Sequence, residues 1–439
     1  MTARMALGVS LAAVVLIGAA TLGERVVSRQ AGADRVNVIY WEKWTGSEGE
    51  EMQKVVNAFN RSQDRIHVQF LTIAGVDSKT LLATAGGNPP DIAGLWANNV
   101  FQFADAKALT DLSGMAREAG LTADYYIPGY WDMLTYNGGL WALPSTPATI
   151  AMHVNADLVP PEFRSAATFP KTFEALDDLV GKISVQGSDG NLKLAGFLPG
   201  EPGWWHWAWG YWFGGKLVDG DRLTIDTPEN EKAFEWIASY GKRFGNQAVQ
   251  NFQSGFGGFA SPQDAFMSGK VAAEIHGVYK ANYIRIYNPK MNWFALPFPH
   301  PEGREDLKDR TVLDQDVLMI PRGAKHPKEA FEFIRFVQRQ DVMEGLCSAH
   351  GKNSPLNKVS EAFFEHHPNH EIRLFDRLAR SPGAFHAPKI GVFAQISSEM
   401  TNVFQEISSG QMTPKQALSE AQTRLDSQWK VYKAQVLNH

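Results

Sequence analysis

The chain has 439 residues, more than one hydrophobic core serves, so two lobes of ordinary domain size are expected. Hydrophobic residues make up 44% and charged residues 20%, which excludes a disordered or fibrous chain, and a net charge of -5 leaves no electrostatic footprint for nucleic acid. Cys347 is the only cysteine, which excludes an internal disulfide, a cysteine metal cluster and a lipid-anchor cysteine behind the N-terminal apolar stretch.

Residues 5–23 carry no charge and follow Arg4, the pattern of an export signal within residues 1–33. Ala31-Gly32-Ala33 offers a small-x-small cleavage site, and the stretch is also long enough to act as an uncleaved anchor. Either outcome puts the rest of the chain outside the cytoplasm. Residues 36–41 read as a strand, and Ser47-Glu48-Gly49-Glu50 has capping-box spacing ahead of a helix whose Met52, Val55, Val56 and Phe59 share one face. Ile66, Val68 and Phe70 alternate as a strand does, residues 80–85 form a short helix ended by Gly86-Gly87, and residues 92–96 form another strand. This alternation predicts an α/β fold with a parallel sheet covered on both faces, and ligands at the carboxyl ends of its strands.

A Gly-, Pro- and Thr-dense segment over residues 138–147 interrupts the pattern and marks a crossing between lobes. Helix signals follow at 173–180, at Thr227-Pro228 and at 264–268, with strands at 271–276, 291–299 and 317–320. A helix over 327–338 and a last long helix opened by Thr413-Pro414 complete the chain. These signals place residues 34–146 and 291–341 in one lobe and residues 147–290 and 342–439 in the other.

Several motifs in this order resemble the extracellular solute-binding protein family 1, the carbohydrate-type, maltose-binding-protein-like component of ABC importers. They are Pro90-Asp91-Ile92, Gly139-Leu140-Trp141-Ala142-Leu143-Pro144 and Met152-His153-Val154-Asn155-Ala156-Asp157-Leu158. Lys171-Thr172-Phe173-Glu174-Ala175-Leu176, residues 265–273 and residues 321–334 extend the match, so it runs from about Val36 to Leu425. The resemblance implies the type II periplasmic-binding-protein fold, doubly wound sheets joined by crossing strands. It also implies a sugar or oligosaccharide held in the interlobe cleft, hinge closure around it, and ABC permease membrane subunits as partners. His153 stands where the family usually has tyrosine, and Ser397 and Thr401 stand where the maltose-type branch has an aromatic and a basic residue, so maltodextrin is not implied.

Candidate ligand residues come from strand ends and from the aromatic run over residues 204–212. As a helix, that run would put Trp205, Trp209 and Trp212 on one face and Trp204, Trp207 and Tyr211 on another. Flat C–H patches of sugars lie against aromatic rings, while their hydroxyl rims need paired donors and acceptors. The candidates are therefore Trp44, Trp96, Asn98, Trp205, Trp207, Trp209, Tyr279 and Asp316, with Glu42, Lys43 and Glu201 weaker. Core packing is the competing reading for the tryptophans, and a cap or surface carboxylate for Asp316.

Metal binding at His366 and His370 is disfavoured because Pro368 breaks the helix needed to align them. No Gly-x-Ser-x-Gly element or phosphate-cradling glycine loop occurs, and neither a cofactor nor a catalytic residue is expected. The expected protein is a monomeric, non-catalytic receptor. The alternatives are a sugar chemoreceptor on the same fold and a secreted glycosidase or lyase, which would need two carboxylates paired in space.

Overall fold

In the computed structural model, which describes residues 35–200 and 203–437, the strand-helix alternation read from the sequence is present. The expected export segment, residues 1–33, lies outside the described residues. β1 (Val36–Glu42), α1 (Gly46–Ser62), β2 (Ile66–Thr72), α2 (Val76–Ala85), β3 (Ile92–Trp96) and α3 (Asn99–Asp105) follow in order. β2 and β3 both pair parallel to β1. Met52, Val56 and Phe59 are buried on α1, as their spacing on one helical face requires. The expected capping box is not formed. α1 starts at Gly46, and the cap residue Thr45 makes no side-chain hydrogen bond to it.

The segment read as an interruption, residues 138–147, is largely strand: β4 runs over Leu143–Asn155 and is buried throughout. Its prolines are tolerated because the ladder slips there. Asp316 pairs with Thr146 and Val317 with Pro144, leaving Ser145 as the extra residue of a bulge. Along β4 the partners change between Thr149 and Ile150. Residues 143–149 pair with β7 (Thr311–Met319), whereas residues 150–154 pair with β5 (Ala273–Gly277) and residues 152–155 with β6 (Trp293–Leu296). One strand thus leaves one lobe and enters the other without a loop.

Threonine caps open two second-lobe helices as expected: Thr172 accepts from Ala175 N at 3.3 Å for α4 (Phe173–Ile183), and Thr227 from Asn230 N at 3.4 Å for α5 (Pro228–Phe244). The helix expected over residues 264–268 is instead a run of turns in which Asp264 Oδ1 accepts from Met267 N at 2.9 Å. Later elements include α6 (Pro327–Val337), α7 (Gln340–Ala349), α8 (Ile372–Ala379), the short β8 (Ala384–Phe385), α9 (Phe393–Ser408) and α10 (Pro414–Tyr432), the last opened by a complete capping box at Thr413.

Two cores define the lobes and correct the boundaries expected from sequence. Phe294, Leu296, Phe298 and Val312 pack in the second core, because β6 returns beside the second-lobe half of β4. Met343, Leu346, Phe363, Phe375 and Leu378 pack in the first, because α7 folds back onto α1. By these cores the second lobe extends to about residue 312, and the first takes up residues 313–379. Among the described residues the chain crosses three times, along β4, along β7, and beside β8, which pairs parallel to the start of β7. His386 Nε2 and Lys389 Nζ each lie 2.9 Å from a carboxylate oxygen of Asp132, tying the third crossing to the first lobe.

Candidate functional site

The three crossings leave a cleft between the lobes, with a cavity of about 700 Å³. Its first-lobe floor is a buried charge cluster. Asp316, on β7, places Oδ1 3.0 Å from Lys43 Nζ and Oδ2 2.8 Å from Lys352 Nζ. The bulge in β4 turns Thr146 into the same cluster, where its Oγ1 donates to Asp316 Oδ2 at 3.1 Å. Burial alone would raise the Asp316 carboxyl, yet the ammonium groups of Lys352 and Lys43 outweigh it and hold this acid well below the usual carboxylate range. Asp314, two residues earlier, is pushed up to about 6 by burial and by the Asp316 charge.

Beneath Lys43 lies Glu42, fully buried, whose Oε1 accepts from Lys43 N at 2.7 Å and Lys43 Nζ at 3.3 Å, while Oε2 accepts from Tyr40 Oη. Room for this carboxylate depends on Gly94, since a Cβ there would come within 1.9 Å of Glu42 Oε2. Gly94→Ala is expected to cost about 1–3 kcal/mol through this overpacking, read as a lowered melting point. An unchanged melting point would show that Glu42 has somewhere else to go.

The second lobe faces this floor with aromatic rings. Trp204 sits edge-on to Phe259 with ring centroids 4.3 Å apart, and Phe259 lies edge-on to Tyr283 at 5.2 Å. His276 lies behind them, 5.2 Å from Tyr279 and 5.6 Å from Trp204, with no exposed surface. Across the cleft, Lys43 Nζ lies 4.7 Å from the Trp44 ring and 5.2 Å from the Trp96 ring, and Lys352 Nζ lies 5.6 Å from Tyr279. Rings and charges thus converge from both lobes on one space.

Of the residues expected from the sequence, Trp44, Trp96, Asn98, Trp205, Tyr279 and Asp316 line this cavity. Trp207 lines a smaller adjoining chamber of about 250 Å³ that meets the main cavity at Asn98, Trp204, Trp205 and Asp314. Trp209 is displaced from the expected site: it is 1% exposed, in the second core, with its ring 5.4 Å from Trp212 and 5.8 Å from Phe298. The single helix assumed for residues 204–212 does not form. Trp205 has φ 55 in the left-handed region, and only then come a 3-10 turn (His206–Ala208) and one α-turn (Trp209–Trp212). That break sends Trp204 and Trp205 to the cleft and Trp209 and Trp212 inward.

Sequence reasoning left out Trp204, Phe259, Tyr283, Glu48, Asp314 and Lys352, all of which line the cavity. Trp204 and Asp314 stand one and two residues from the candidates Trp205 and Asp316, and the same reasoning extends to them. Lys352 follows α7 in a loop with no local signal, and only the fold brings it to Asp316. Glu201 lies outside the described residues. His366 and His370 do not converge, since His366 Nδ1 meets Ala362 O at 2.9 Å and His370 Nε2 meets Trp293 O at 3.2 Å.

Two α/β lobes joined by three crossings around a ring-lined cleft define a two-lobed solute-binding protein. Residues 43–344 match the bacterial extracellular solute-binding protein family, and the chain belongs to that family. An uncharacterized ABC transporter extracellular-binding protein of Pyrococcus horikoshii is 22% identical over 72% of this chain and 72% of its own. The sn-glycerol-3-phosphate-binding periplasmic protein UgpB of Pectobacterium atrosepticum is 21% identical over 90% of this chain and 91% of its own. Among solved structures, CpMnBP1 with mannobiose bound superposes with a TM-score of 0.78 at 24% identity, covering 89% of this chain and 99% of that one. The fold is therefore the type II periplasmic-binding-protein fold. No helix among the described residues is long and apolar enough to cross a membrane.

Proposed function

We infer that this chain captures a sugar or oligosaccharide in the interlobe cleft, outside the cytoplasmic membrane, and delivers it to the permease of an ABC importer. The observation that carries this reading is the pairing of Trp44 and Trp96 on one lobe with Trp204, Trp205 and Tyr279 on the other, around a floor of Lys43, Asp316 and Lys352. Rings accept the C–H faces of a pyranose, and the polar floor accepts its hydroxyls. The Pyrococcus relative is named for an ABC transporter, and CpMnBP1 holds mannobiose on the same fold, which supports both halves of the reading. Capture rather than catalysis is supported by Asp316, which two ammonium groups engage, and by the naming of the matched family and of both relatives as binding proteins.

A melting-point screen of neutral mono- and oligosaccharides tests this, since a ligand that binds only the folded chain raises its melting temperature, by about 2.7 kcal/mol of stability at a hundred times Kd. Bound sugar should be recovered intact, and small-angle scattering at saturation should report a more compact particle as the lobes close. A panel that raises no melting point, or sugar that returns cleaved, would overturn the reading.

A further inference from the structure

The charge of the ligand is written into the cleft floor. An ammonium group carries three N–H donors. Those of Lys43 are matched by Asp316 Oδ1 at 3.0 Å, Leu95 O at 3.2 Å and Glu42 Oε1 at 3.3 Å. Around Lys352 Nζ stand Asp316 Oδ2 at 2.8 Å, Thr146 Oγ1 at 3.1 Å and Glu48 Oε1 at 3.6 Å. The two lysine side chains are only 8% and 5% exposed, held against the acceptors they already have.

The other charges facing the cavity point the same way. Lys43 and Lys352 are set against Glu48, Asp314 and Asp316, and among the described lining residues there is no arginine or histidine. The adjoining chamber adds His206, which burial keeps neutral by lowering it to about 4. An entering phosphate or carboxylate would lose its hydration and meet no unengaged cation, with two or three carboxylates close by.

We propose that Asp316 is the specificity-determining residue for ligand charge: its carboxylate fills the Lys43–Lys352 clamp as a built-in anion, so the cleft takes neutral polyhydroxyl ligands and rejects phosphorylated or acidic ones. The proposal rests on the cleft being the ligand site. It separates this chain from its relative named for sn-glycerol 3-phosphate. A tethered carboxylate holds its place without the loss of translational freedom that a free anion meets on binding, so the clamp stays closed to anions at ordinary concentrations.

Calorimetric titration of the full chain with sn-glycerol 3-phosphate and with inorganic phosphate tests this. The wild type is expected to bind neither at millimolar concentration. Asp316→Asn, which removes the carboxylate the two ammonium groups share and leaves Lys43 only Glu42 and Lys352 only the more distant Glu48, is expected to gain affinity for both by about ten- to a hundredfold, the size of one or two charge-assisted hydrogen bonds. If that variant does not fold, Asp316→Asn combined with Lys352→Met leaves Lys43 as the one cation that has lost its nearer carboxylate, with Glu42 still beside it, and is expected to show the lower part of the same gain. Saturable wild-type binding of either anion overturns the proposal and leaves the capture function standing, as does a folded variant with no gain. A chain that binds neither neutral sugars nor anions overturns the capture function itself.

Discussion

The melting temperature is expected to fall steeply as the pH drops from about 7 towards about 5, because five histidines are buried in their neutral form. His153, His206, His276, His350 and His367 are at most 9% exposed. Burial lowers His153 and His350 to about 3 and His206 and His367 to about 4, and it holds His276 well below the ordinary range. The Lys280 ammonium group adds to the effect at His153 and His276, and that of Lys352 at His350. In the unfolded chain each ring takes up a proton near pH 6.5. In the folded chain it does so only at much lower pH, so the stability it contributes is complete above about 6.5 and is lost as the pH falls towards the folded value.

Each ring costs up to about 1.4 kcal/mol per pH unit in that window, and five together amount to several kcal/mol by about pH 5.5. Asp314 acts in the opposite direction. Its folded value, raised to about 6, makes the native state the better proton acceptor below that pH, so it gains stability on acidification. Asp105 and Asp177, also raised by burial, act in the same direction, and three carboxyls do not offset five rings. Scanning calorimetry in a pH series checks this, and a melting point that stays level from about pH 7 to about pH 5.5 would mean that the rings take up protons while the chain remains folded.

The parts of the fold legible in the sequence are those where one local rule acts alone. Met52, Val56 and Phe59 could only form one face of a helix, and Ile66, Val68 and Phe70 could only form one side of a strand. The crossing strand was harder to see because Pro144 and Pro147 read as turn residues, and what admits them is a bulge against β7, a partner some 170 residues away in sequence. The lobe boundary was missed for a related reason: nothing local in residues 343–379 says which core their apolar faces meet.

The site divides in the same way. Trp44, Trp96 and Asn98 follow from the rule that the carboxyl ends of strands face the cleft, whereas Asp316, expected at a strand end, lies inside β7 and reaches the cleft at the bulge against β4. Lys352 does not follow from that rule, because its role comes from the meeting of two segments and from no pattern within either. The aromatic run misled in a third manner. Helical periodicity does not run through Trp205, whose left-handed backbone breaks the helix, so Trp204 and Trp205 share a wall that a continuous helix would split between two faces.

That sorting makes the sharpest test of the site. Trp209→Ala is expected to cost about 3–5 kcal/mol, because the ring is 1% exposed and packs on Trp212, Trp236 and Phe298. For a lobe of this size that corresponds to a melting point lowered by roughly 10 °C. Its buried Nε1 has no hydrogen-bond partner among the described residues, so Trp209→Phe should recover much of the loss by keeping an aromatic ring and removing the unsatisfied donor. Trp204, 36% exposed on the cleft wall, should behave in the reverse manner. Trp204→Ala removes an aromatic face that in the free protein is partly wet, so the melting point should move little while affinity for the sugar found in the screen falls about tenfold or more. Trp207 belongs to both worlds, 7% exposed yet lining the smaller chamber, and Trp207→Ala should lose both stability and affinity. Melting points and titrations of the alanine variants, measured side by side, decide the matter. If Trp204→Ala melts as low as Trp209→Ala, or binds sugar as the wild type does, the second-lobe wall is core and the rings that read the ligand are elsewhere.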